Sequence, residues 1–182
     1  MLKHLIDQAT KPERVVILGS AGFVGNACTQ RLKRMDIPVL ELPRTELDLT
    51  DSNSGDILAD LLQPNDSLLF VSAKAPVKTE SMLIDNLQMA STVCYAILES
   101  PPQHLVYISS DAVYADSDEP LDESSCAQPD SLHGIMHLAR EVMLKNAWQG
   151  PLCFLRPTLI YGAEDPHNGY GPNRFIRLAK KK

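Results

Sequence analysis

Four β-prone apolar residues, Val15-Val16-Ile17-Leu18, run directly into three glycines, Gly19, Gly22 and Gly25, spaced G-x-x-G-x-x-G. A short apolar run, then glycines, then helix-compatible residues predicts a buried parallel strand that turns tightly into a helix. Such a turn aims the first free N–H groups of the helix at an anion, and a pyrophosphate suits the place. Gly19 makes the turn, Gly22 lets the backbone approach the phosphates, and Gly25 lets helix and strand pack closely. Ala21, Phe23 and Val24 lie between these glycines and complete the candidate cradle.

A dinucleotide site needs a residue to read the adenosine ribose about 20 residues further on, at the end of the second strand. The run Ile37–Arg44 carries both signs of charge. Glu41 can accept from ribose hydroxyls, which favours NAD, whereas Arg44 can grip a 2′-phosphate, which favours NADP. Asp48 and Leu49 follow, a carboxylate and an apolar side chain placed to hold an adenine ring.

Strand-like and helix-like stretches alternate along the chain, the pattern of βαβ units around a parallel sheet. Strands are expected at Arg14–Leu18, Val39–Leu42, Leu68–Ala73, Leu105–Ser110 and Leu152–Arg156. Helices are expected at Gly22–Met35, Ser54–Leu62, Ser81–Ser100, Ser131–Asn146 and from Arg174 onward. Pro101-Pro102 stops the longest helix. Ser72 and Ala73 close the third strand, small residues that leave room for a flat cofactor, and Lys74 follows as a further cofactor-side candidate. The hydroxyls of Ser109 and Ser110 close the fourth, at the sheet end where ligands bind in such folds. The fold class is thus α/β, a doubly wound parallel sheet in a single domain over residues 14–182, preceded by an amphipathic lead-in helix over residues 1–13.

With 182 residues, 44% of them hydrophobic, the chain can bury a core of its own. A net charge of −6 leaves no basic face for nucleic acid. No apolar stretch reaches membrane-spanning length, and the N-terminus lacks the apolar centre of a signal peptide. Cys28, Cys94, Cys126 and Cys153 lie far apart without a C-x-x-C pair, which reads as reduced, buried thiols in a cytoplasmic protein.

These residues resemble the extended short-chain dehydrogenase/reductase family, the nucleotide-sugar epimerases and dehydratases. The likeness covers nearly the whole chain. It rests on Gly19–Gly25, on Asp48-Leu49, on Asn86, on Ser109-Ser110-Asp111-Ala112-Val113-Tyr114 and on Arg156-Pro157-Thr158-Leu159-Ile160-Tyr161-Gly162. The resemblance implies a Rossmann-type fold, NAD or NADP as cofactor, a nucleotide-sugar substrate and Pro157 near the nicotinamide. It also implies a homodimer that pairs the helices near Ser81–Ser100 and from Ser131. A C-terminal part that holds the sugar nucleotide would normally follow Lys182.

The family carries Tyr-x-x-x-Lys at the start of the helix after the loop 115–129. Here His133 stands at the Tyr position and His137 at the Lys position. His133 suits proton transfer near neutrality. Two imidazoles at i and i+4 also suit a metal, with Asp111 the candidate third ligand. By resemblance, Ser110 would orient the substrate oxygen, Asp111 stands where dehydratases carry an acid, and His137 would touch the nicotinamide ribose. The reading is nucleotide-sugar redox chemistry with an atypical site. Its alternative is a dinucleotide-binding protein, regulatory or structural, that has lost the chemistry.

Overall fold

The computed structural model describes Gln8, residues 10–166 and residues 171–181. Five strands, β1 (Arg14–Leu18), β2 (Val39–Leu42), β3 (Asp66–Phe70), β4 (His104–Ile108) and β5 (Leu152–Leu155), form one parallel sheet in the order β2-β1-β3-β4-β5. The helices are α1 (Phe23–Arg34), α2 (Ser54–Leu61), α3 (Glu80–Glu99), α4 (Leu132–Ala147) and α5 (Gly171–Ala179). A single 3-10 turn at Asp111–Val113 joins β4 to the loop before α4.

Alternation along β1 sends side chains to both faces of the sheet. Val16 and Leu18 join Leu58 of α2, Val93 and Ile97 of α3, and Leu144 of α4 in the main core. Val15 and Ile17 face the other way, against Cys28 and Leu32 of α1. Each fully buried Leu, Ile or Phe here contributes about 1.5–3 kcal/mol of hydrophobic free energy. β4 is covered on one face only: Leu105 and Tyr107 are buried, whereas His104, Val106 and Ile108 alternate with them half-exposed. The helix α1 reaches across β1 and β2 but not across β4, which leaves that face of β4 part-exposed.

Local chemistry sets the helix ends. Thr79 Oγ1 accepts from the Met82 amide at the start of α3, and Ser131 Oγ from the Gly134 amide at the start of α4. Arg31, Lys33 and Arg34 crowd the last turn of α1, where the dipole favours cations. At the base of the sheet, the Arg14 guanidinium grips Asp66 through two hydrogen bonds of 2.7 and 2.6 Å. The lead-in helix falls largely outside the described residues, and residues 10–13 within them are not helical. Pro12 accounts for that break, since the residue before a proline avoids the helical region. The expectation of buried thiols also needs correcting. Cys126 is exposed in the loop and the other three are half-buried, all four without a disulfide.

Candidate cofactor cleft and active site

Gly19 leaves β1 with φ +87°, a region that disfavours any side chain, and its missing Cβ would stand 2.9 Å from the Ser72 amide. A Cβ on Gly25 would lie 2.2 Å from the Gly19 carbonyl, so helix and strand meet there without space for a methyl. Gly22 differs: its added Cβ would touch only the Gly19 carbonyl, at 3.3 Å, and otherwise point into open space. Gly22 is also the N-cap of α1, with no side-chain cap and no acidic residue in the first turn. A helix start left free of side-chain caps, behind a glycine that presents only backbone, suits a phosphate.

Beside this loop opens a cleft of about 300 Å³ lined by Ser20, Ala21, Asn26, Glu41, Pro43 and Glu46. Glu41 thus joins the glycine loop in one cleft, paired with Lys33 of α1. Arg44 is 66% exposed and its Nε lies 2.8 Å from Asp48, so each candidate reader of the ribose is already engaged by a charge. The hydroxyl and amide of Thr50, and then Arg44, hold the Asp48 carboxyl down at about 2. Leu49 turns away into the main core.

The segment after β3 packs against the glycine loop, Ser72 against Gly19. The Ser72 amide donates to the Leu18 carbonyl, Lys74 N–H donates to Asn86 Oδ1, and Asn86 Nδ2 donates back to the Lys74 carbonyl. Lys74 Nζ pairs with Asp85. Phe23 and Val24 begin α1, Phe23 half-buried beneath Gly162, where an added Cβ would lie 3.1 Å from its ring. Ala73 continues the segment from Ser72.

At the ends of β4 and β5, the Asp111 amide donates to the Pro157 carbonyl and Ser110 Oγ caps the 3-10 turn by accepting from the Ala112 amide. Ser110 Oγ also donates to Asp111 Oδ1 at 3.1 Å. Ser109 does not present its hydroxyl to a ligand. It is buried and donates to Glu141 Oε1 at 2.6 Å, and Glu141 receives Arg156 through both its oxygens.

The two imidazoles occupy different environments. His133 is half-buried, accepts weakly from the Val77 amide through Nδ1, and is pushed below its ordinary value by burial while Asp111 opposes the shift. His137 is 5% exposed, its Nδ1 2.7 Å from the Tyr107 hydroxyl inside the core. Burial first, then His133 and Arg140, push it down to about 3, so it stays neutral. Their rings meet edge to face, 4.7 Å between centroids. Among the described residues no three His, Cys, Asp or Glu side chains cluster as metal ligands. Sequence reasoning passed over Tyr107 and Arg140, although their phases on β4 and α4 point both inward.

A family model described as the NAD dependent epimerase/dehydratase family matches residues 15–182. The chain belongs to that family. No curated protein sequence matches this epimerase-family chain. Its fold is similar to UDP-N-acetylglucosamine 4-epimerase from Bacillus cereus, with TM-score 0.79 at 23% identity, covering 91% of this chain and 61% of that one. It is also similar to dTDP-4-dehydrorhamnose reductase from Bacillus anthracis in complex with NADP, with TM-score 0.78 at 24% identity, covering 97% and 62%. A third likeness is to UDP-glucuronic acid 4-epimerase from Bacillus cereus in complex with NAD, with TM-score 0.72 at 19% identity, covering 84% and 58%. The epimerase-family chain thus spans roughly three fifths of the solved chains it resembles.

Proposed function

We propose that this chain binds NAD or NADP at its glycine loop and serves redox chemistry on a nucleotide sugar, of epimerase, reductase or dehydratase type. The observation that carries the reading is the uncapped start of α1 behind Gly22, opening on the cleft that holds Ala21 and Glu41. Backbone amides at Ala21, Phe23 and Val24 would hold the pyrophosphate, and Glu41 or Arg44 the adenosine ribose, with Asp48 beside it. Ser72, Ala73, Lys74 and Pro157 would line the nicotinamide side. A bound nicotinamide would supply the hydride acceptor and donor. His133 then holds the proton exchanged with the substrate alcohol, and Ser110 orients that oxygen, with Asp111 beside both.

One observation favours the second reading, binding without turnover. His137 is bonded to Tyr107 in the core, so reaching a ribose requires breaking that bond. Calorimetry with NAD and with NADP tests the binding. Absorbance of the reduced nicotinamide over a panel of nucleotide sugars tests the turnover. Absence of binding to either cofactor defeats both readings, and binding without turnover by any sugar selects the second.

The homodimer belongs to the same proposal. Ile84, Tyr95 and Leu98 on α3 and Ile135 and Val142 on α4 are exposed and offer an apolar face for a second copy. Among the described residues no helix is long and apolar enough to cross a membrane. A cytoplasmic setting suits the four free cysteines.

A further inference from the structure

Arg140 is 0% exposed, the largest fully buried side chain among the described residues, and none of the ion pairs among them includes it. A guanidinium in a core is costly unless its donors are met. Here Nε donates to the Asn86 carbonyl at 2.8 Å, Nη1 to the Ser72 carbonyl at 2.8 Å and Nη2 to Asn86 Oδ1 at 2.9 Å. The Phe70 ring lies 4.9 Å away and the Tyr107 ring 6.0 Å away, both giving π faces to the charge.

The acceptors belong to the segment after β3 and to its partner Asn86. Ser72 is the residue that packs against Gly19, and Asn86 holds Lys74 from both sides of its peptide. Arg140 itself sits on α4, one turn beyond His137 and two turns beyond His133. A single side chain therefore ties the helix of the imidazoles to the segment that meets the glycine loop. We propose that Arg140 is a positioning residue, a permanent buried charge that anchors α4, one turn beyond His137, to the Ser72–Lys74 segment. A planar fork with five donors suits this task, and an ammonium on a flexible stem cannot reach three acceptors in that geometry.

The inference rests on the cofactor reading only for its consequence in binding, so the test has arms that do not depend on it. The full chain is compared with Arg140→Met, which removes the charge, and Arg140→Lys, which keeps it without the fork. The charged and titratable groups facing His137 are Tyr107 from β4 with His133 and Arg140 from α4, and Glu141 lies next along the helix beside Tyr107. Histidine ring NMR should show His137 titrating higher in Arg140→Met than in the parent, and near the parent value in Arg140→Lys. Hydrogen exchange at the Lys74 amide should quicken by about tenfold or more in both variants, as the segment loses its anchor.

A folded Arg140→Met with parental His137 titration and parental Lys74 exchange overturns the proposal. If Arg140→Met does not fold, Arg140→Lys decides, and parental Lys74 exchange there is equally fatal. Failure of both to fold makes Arg140 a packing residue alone and also overturns it. Calorimetry with NAD and with NADP runs alongside: a parent chain that binds neither cofactor sinks the cofactor reading, while titration and exchange still judge Arg140.

Discussion

The Tyr107 hydroxyl lies 2.7 Å from Nδ1 of His137, inside the core and one helical turn from His133. This bond divides two imidazoles that a helix places on one side: His133 keeps contact with solvent, and His137 becomes a neutral partner of a buried phenol. Burial also pushes that phenol up to about 12, so it stays protonated throughout the working range.

Stability should carry the signature of His137. Its folded value, about 3, lies below the unfolded value near 6.5, so between those limits the unfolded chain binds more protons. Stability is therefore full above pH 6.5 and falls as pH drops toward 3, by at most about 1.4 kcal/mol per pH unit for one proton. His133, also lowered, adds loss of the same sign. Urea unfolding of the parent and of His137→Gln, compared between pH 7 and pH 4, should show a flatter pH dependence in the variant.

Gly22→Val should keep the fold and lose the cofactor. Gly22 has extended dihedrals, φ −72° and ψ 165°, that a valine adopts, and its Cβ meets only one carbonyl. The new side chain would occupy the approach to the α1 amides. Calorimetry should show at least about a hundredfold weaker binding, roughly 2.7 kcal/mol, while a cooperative melting transition is retained.

Arg156→Ala should cost roughly 3 kcal/mol or more. Glu141, 4% exposed, would keep Ser109 but lose both hydrogen bonds from the guanidinium. Glu141→Gln combined with Arg156→Met should cost less than the sum of the single changes, because each single change strands a partner. Chemical denaturation of the set measures the coupling.

His137→Lys should destabilise the chain by roughly 3 kcal/mol or more, since an ammonium would replace a neutral ring beside Tyr107 and near buried Arg140. His133→Tyr, at a half-exposed position, should fold. The pair of substitutions restores the residue types of the family pattern without the pocket for the second one. Any gain in nicotinamide turnover should therefore come from His133→Tyr, read by absorbance and by melting temperature together.

Arg44→Ala should weaken NADP by about tenfold and leave NAD nearly unchanged, if the guanidinium leaves Asp48 to grip a 2′-phosphate. An unmoved preference assigns the ribose to Glu41. Calorimetry with both cofactors gives the ratio.

Much of this protein is written in local pattern. Val15–Leu18 followed by Gly19, Gly22 and Gly25 determines strand, turn and helix, because the apolar run has one buried solution and the glycines relieve specific clashes. Alternation of apolar runs with helical stretches determined the parallel sheet, its strands placed to within a few residues. Tertiary packing decided the rest. Helical spacing puts His133 and His137 on one side, but only the position of Tyr107 on β4 sends one ring inward and leaves the other half-exposed. Ser109 and Ser110 are adjacent hydroxyls in sequence, yet Glu141 takes one into the core while the other caps a turn. The phase of Arg140 on α4 turns it inward, but nothing along the chain names the partners it meets there. It is buried because the carbonyls of Ser72 and Asn86, far away along the chain, converge where its fork can meet them. Spacing along the chain conveys direction and period, whereas which partner waits at the end of a side chain depends on how separate elements pack.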